Sequence, residues 1–257
     1  MEHQRISFES DGITIVGDLL IPSSPYEPPF PAICYLHGFP GDQDKVTSPG
    51  LGLARMGFVY LCFDFRGHRE STPPNYGGRF SFKGEITDCR NAINYLNQLD
   101  FVDKSRVGLY GESMGGGVAI CFAAEDNRVK AVAVRAPVFD TELMFSHPMF
   151  EMTVNSLENF LPGEVAGLSY PNLISLLLEE AKVYNPIKLV HKISPKPLLI
   201  VAGAQDELIP LEGVKALYEK AREPKELIVL DADHNLTPPL ARKRAFETIV
   251  DWIVSHI

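Results

Sequence analysis

The sequence predicts an α/β fold, a mostly parallel, doubly wound sheet with an antiparallel N-terminal hairpin and a small inserted cap. Three observations predict it. Short unbroken apolar runs recur at 32–36, 58–63, 107–110, 129–134, 197–201 and 227–230, as strands do when both faces of their sheet are covered. Between them lie stretches with helical spacing, at 51–56, 83–99, 114–124, 211–222 and 240–257; strands alternating with helices imply right-handed crossovers and parallel pairing. The rhythm breaks once, for about sixty residues between 134 and 197, too long for one connection in a compact domain.

At the N-terminus, β-like segments at 6–9 and 13–21 flank Asp11-Gly12, a hairpin turn signal. A proline-rich stretch over 22–31 then separates this hairpin from the alternating units. The interval over 138–185 reads as a cap, with one helix beginning near Asn172. Neither a repeat nor a linker between independent units is evident, so the chain reads as one domain over 1–257 carrying that insertion.

Composition narrows the function classes. Among 257 residues, 45% are hydrophobic and 22% charged, which are globular values and argue against disorder, collagen or a coiled coil. A formal charge of -9 argues against nucleic acid and acidic membranes as partners, because phosphate-binding surfaces are usually basic. The first residues lack a cationic segment followed by an apolar one, so no secretory signal is expected. The longest unbroken run of apolar residues and glycine, 115–124, is far short of the roughly 20 residues that span a bilayer. Cys34, Cys62, Cys89 and Cys121 are scattered without a C-x-x-C pair and read as buried free thiols, which suits a cytoplasmic setting.

The strongest chemical signal is Gly111-Glu112-Ser113-Met114-Gly115, followed by Gly116 and Gly117. It lies directly between a predicted strand and a predicted helix. A serine on such a sharp turn needs small neighbours two positions away, and the turn presents its hydroxyl above the strand end. The helix N-terminus then faces the place where an oxyanion develops. No glycine loop here fits a nucleotide-binding pattern, and the reading calls for no cofactor and no metal ion.

A serine hydroxyl needs a base, and the base an orienting acid. Among seven histidines, His234 is placed for the task, just past the last predicted strand in Asp231-Ala-Asp233-His234-Asn. Asp206, after the strand at 197–201, is the preferred acid; Asp140, Asp231 and Asp233 are rivals, although the two neighbours of His234 would have to bend back to reach its ring. The chain order is then Ser113, Asp206, His234. Two backbone donors should face the oxyanion: the N–H of Met114 and one from His37-Gly38-Phe39-Pro40-Gly41. Pro40 has no N–H, which leaves Phe39 or Gly38, and Phe39 is chosen.

The series His37-Gly38-Phe39, Asp64-Phe-Arg66-Gly67, Gly111-Glu-Ser113-Met-Gly115, Ala202-Gly-Ala-Gln-Asp206-Glu-Leu-Ile-Pro210 and Asp233-His234 resembles the α/β-hydrolase superfamily from about residue 32 to the C-terminus. Within it the chain is similar to small feruloyl or cinnamoyl esterases, bordering on dienelactone-hydrolase-like and prolyl-oligopeptidase-like domains. One departure is Arg69, where many such proteins carry a second glycine. Asp64 and Arg66 read as a structural pair beside the oxyanion strand.

Over 136–185 the chain carries seven acidic residues, one lysine, six aromatic residues and three methionines. An apolar, acidic insert over the nucleophile would accept an acyl or aryl group and repel polyanions. The expected activity is therefore hydrolysis of small carboxylic esters by a serine carboxylesterase through an acyl-enzyme. An aminopeptidase of the same fold is the alternative, and a silent ligand-binding homologue a remote one. The length leaves no room for the β-propeller that larger peptidases of this type carry. A small-molecule ester is the expected partner, and oligomeric state is not read from the sequence.

Overall fold

The unbroken apolar runs resolve into an eight-stranded sheet in the computed structural model, which describes residues 1–41, 49–71, 80–161 and 163–257. The strands are β1 (Glu2–Ser10), β2 (Ile13–Ile21), β3 (Phe30–Leu36), β4 (Val59–Phe63), β5 (Val102–Glu112), β6 (Val129–Arg135), β7 (Leu198–Gly203) and β8 (Lys225–Leu230). They lie in the order β1-β2-β4-β3-β5-β6-β7-β8. Antiparallel pairing is confined to β1 with β2 and β2 with β4; the other pairs are parallel.

The expected hairpin is present. Ser10 pairs with Ile13 across Asp11-Gly12, and both turn residues have positive φ (52° and 78°), the backbone twist that matches two joined strands. β1 begins earlier than its apolar pattern suggests. Its first residues are exposed and belong to the strand through pairing with β2, not through burial.

Burial on both faces explains the unbroken runs. In β3, Ala32, Cys34 and Leu36 face one core, and Ile33 and Tyr35 the other. β4 divides likewise, with Val59, Leu61 and Phe63 opposite Tyr60 and Cys62. The first core is covered by α2 (Phe82–Leu96), α3 (Met114–Ala123) and α8 (Leu211–Lys220), through Ile93, Ile120 and Leu217 among others. The second is covered by α1 (Pro49–Arg55) and α9 (Pro239–His256), through Leu53, Ile249 and Trp252. All four cysteines are free and buried, and burial pushes the Cys62, Cys89 and Cys121 thiols up.

Between β6 and β7 the chain forms α4 (Thr141–Ser146), α5 (Pro148–Phe160), α6 (Leu173–Ala181) and the short α7 (Pro186–Leu189). The helix expected near Asn172 is α6. The others were not anticipated, and α4 and α5 each start on a side-chain cap. Asp140 accepts from the backbone N–H groups of Glu142 and Leu143, while His147 accepts from that of Met149 ahead of Pro148. α5 buries Phe150, Val154 and Leu157 and exposes Met149, Met152 and Phe160.

Arg66 has a partner that the sequence did not offer. Its guanidinium is held by Asp88 of α2, with Nη2 2.7 Å from Oδ1, and its backbone N–H also donates to Asp88. Ser10 donates to the same carboxylate at 2.6 Å. Asp64 accepts from the Glu70 backbone N–H. The pairing follows from α2 packing over the hairpin, which two-residue spacing could not reveal. Among the described residues, no helix is long and apolar enough to cross a membrane.

Candidate active site

β5 ends at Glu112 and α3 begins at Met114, which leaves Ser113 alone in the turn with φ 51° and ψ -116°. Such a backbone is sparsely populated for a residue with a side chain and persists only where its surroundings force it. They do so through close approach. A Cβ on Gly115 would lie 2.2 Å from the Leu36 carbonyl oxygen and 2.4 Å from that of His37, and one on Gly111 would meet the Gly115 carbonyl at 2.4 Å. The Ser113 N–H donates to the Arg135 carbonyl at 2.9 Å, and the Ser113 carbonyl accepts from Val138 at 2.9 Å.

Asp206 and His234 meet although 28 residues separate them. His234 Nδ1 lies 2.8 Å from Asp206 Oδ2. The other carboxylate oxygen accepts from the backbone N–H groups of Leu208 (3.0 Å) and Ile209 (2.8 Å), so Asp206 is held from both sides. The rival acids are engaged elsewhere. Asp231 accepts from Gln205, Asp233 from the Thr237 N–H, and Asp140 caps α4 while accepting from Asn185.

Ser113 and His234 line one cavity of about 630 Å³, together with Phe39 and Met114. The loop after β3 lies against the serine: a Cβ on Gly38 would be 3.0 Å from the Ser113 Cβ. His37 braces that loop from below. Its Nε2 is 3.0 Å from the Phe65 N–H, which donates to it, so Nδ1 carries the proton and donates to the Gly38 carbonyl at 2.8 Å. The remaining wall is mainly apolar, including Val138, Leu143, Met144 and Phe150.

Two site residues escaped sequence reasoning. Glu112 and Arg135 end adjacent strands in register. Arg135 Nη2 lies 2.7 Å from Glu112 Oε2, both side chains being buried, and Tyr110 donates its hydroxyl to the other Glu112 oxygen. Burial opposes the charge on Arg135, but Glu112 more than offsets it, so the guanidinium is held above its ordinary value. The available signal was a lone opposite charge at the C-terminal end of each of two apolar strands. Among the described residues, no group of three or more His, Cys, Asp or Glu side chains is arranged to hold a metal ion.

A model of the prolyl oligopeptidase family matches residues 51–257. The uncharacterized protein YfhR of Escherichia coli O157:H7 is 28% identical over 90% of this chain and 73% of its own length; a Mycobacterium tuberculosis relative is matched over 64% of its length. Among solved structures, the α/β hydrolase GrgF from Penicillium sp. sh18 superposes with a TM-score of 0.76 at 22% identity, covering 100% of this chain and 99% of that one. An acetyl xylan esterase from Paenibacillus sp. R4 gives 0.76 at 21% identity, covering 99% and 84%.

Proposed function

The chain belongs to the prolyl oligopeptidase family of α/β hydrolases, and we propose that it is a serine carboxylesterase acting on small acyl or aryl esters. The observation that carries this reading is the Asp206–His234 hydrogen bond, made by a histidine that lines the same cavity as Ser113 on its strained turn. In this reaction His234 takes the Ser113 proton as the hydroxyl attacks the ester carbonyl. The tetrahedral oxyanion is met by the backbone N–H groups of Met114 and Phe39, each such donor contributing about 3 to 4 kcal/mol. His234 then protonates the departing alkoxide while Asp206 stabilises the imidazolium. Water repeats the sequence on the acyl-enzyme and releases the acid.

The apolar wall supports a neutral acyl or aryl group in preference to a phosphorylated one. Buried free thiols accord with a reducing, cytoplasmic compartment. An aminopeptidase is the second reading, favoured by the family match itself, with the exposed Glu207 on the cavity wall as anchor for a substrate amine. Labelling by a fluorophosphonate that Ser113→Ala abolishes is the expected result, and an unlabelled intact protein would overturn the serine chemistry. Short p-nitrophenyl esters should exceed aminoacyl anilides in kcat/KM; the reverse order would establish the peptidase.

A further inference from the structure

We propose that Arg135 is a positioning residue that sets the base against the nucleophile, holding the Ser113 turn with its backbone and the His234 loop with its side chain. This rests on the serine-hydrolase reading and adds a constraint that the three reacting side chains do not supply. Asp206 fixes the His234 ring. A ring, however, is only as well placed as its backbone.

Arg135 closes a circuit through both loops. Its carbonyl oxygen accepts the Ser113 N–H at 2.9 Å. Its Nη1 donates to the His234 carbonyl at 2.6 Å, and its Nη2 to Glu112, the residue before the serine, at 2.7 Å. The nucleophile and the base, 121 residues apart in the chain, are thus both bonded to one residue. A planar guanidinium can direct separate donors to two acceptors in fixed directions, which an ammonium cannot reproduce.

Two further features point the same way. Leu236, two residues beyond the base, has φ 53°, a conformation a branched side chain keeps only when its loop is held. Arg135 is 7% exposed and Glu112 5%, and a buried ion pair is commonly no more stabilising than an apolar pair of the same volume. Geometry at the base loop gives this pair a use that stability does not.

Arg135→Met alone would strand the Glu112 carboxylate, so the informative variant is Glu112→Gln/Arg135→Met, compared with Glu112→Gln and with Arg135→Lys. Hydrolysis of p-nitrophenyl butyrate should lose kcat by about 10²-fold in the double variant relative to Glu112→Gln, the scale of a small misplacement of reacting groups, with KM little changed. Arg135→Lys, which can reach one acceptor, should fall between. The low-field proton resonance of the His234 Nδ1–H, expected in the wild type, should broaden in the double variant while melting stays cooperative. Equal kcat across the folded variants, or a low-field resonance that is absent from the wild type or unchanged on substitution, would overturn the proposal. Should the double variant not fold, an Arg135→Lys enzyme with wild-type kcat overturns it equally. A wild type inert to fluorophosphonate defeats the hydrolase reading instead, and the resonance still reports whether Arg135 places the ring.

Discussion

Asp206→Asn changes one atom and should remove nearly all activity while leaving the fold in place. The reason lies in how the carboxylate is held. Oδ1 accepts from Leu208 and Ile209, and Oδ2 meets His234 Nδ1. An amide at this position has one acceptor and one donor end. Turning its NH2 toward Leu208 and Ile209 would set donors against two N–H groups and forfeit two hydrogen bonds, a cost of about 2 kcal/mol or more. The oxygen therefore stays on that side, and the NH2 faces the imidazole. Nδ1 must then accept, which moves the ring proton to Nε2 and removes the lone pair that would take the Ser113 proton. An enforced wrong tautomer of this kind lowers kcat by about 10⁴, or about 5 kcal/mol of barrier. Stability should fall by only about 1 to 2 kcal/mol, the difference between charged and neutral acceptors at bonds that survive. Steady-state hydrolysis of p-nitrophenyl butyrate at neutral pH, paired with urea denaturation, measures both quantities. A folded Asp206→Asn enzyme within about tenfold of wild-type kcat would refute the reasoning.

Gly115→Ala brings a methyl group within 2.2 Å of the Leu36 carbonyl oxygen, so urea denaturation should show a loss of about 1 to 3 kcal/mol, and kcat should fall with it as the β3 loop retreats from Ser113. His68 is fully buried; burial first, and the neighbouring His37 second, lower its proton affinity to about 3 from an ordinary 6.5. Between those values the unfolded chain binds the extra proton, so its contribution to stability is complete above pH 6.5 and is lost on acidification toward 3, by up to about 1.4 kcal/mol per pH unit. Urea midpoints of His68→Phe across this window should show a shallower pH slope than the wild type, and an equal slope would count against the assignment. Thr153 lines the cavity from α5; Thr153→Trp should leave kcat/KM for an acetyl ester near wild type and depress that for an octanoyl ester about tenfold.

Much of the fold could be read from short-range pattern. Strands buried on both faces need unbroken apolar runs, and β3, β4 and β6 fall where those runs stand. Asp11-Gly12 adopts the turn its residue types favour. The serine turn was legible because Gly111 and Gly115 have no room for a side chain, a requirement written within five residues. The inserted helices were less legible. α5 carries one apolar stripe into the core and exposes another, which blurs the single-sided periodicity that identifies a helix.

Local spacing alone thus determined the class of sheet, the strained serine and the loops that offer an acid and a base. Tertiary structure decided the polar partnerships: Arg66 with Asp88, Asp206 with His234 in place of Asp140, and Arg135 between Glu112 and the His234 backbone. The physical reason is range. Periodicity and turn chemistry act among neighbours in the chain, whereas a charge finds its partner only after strand order has brought together residues up to a hundred positions apart.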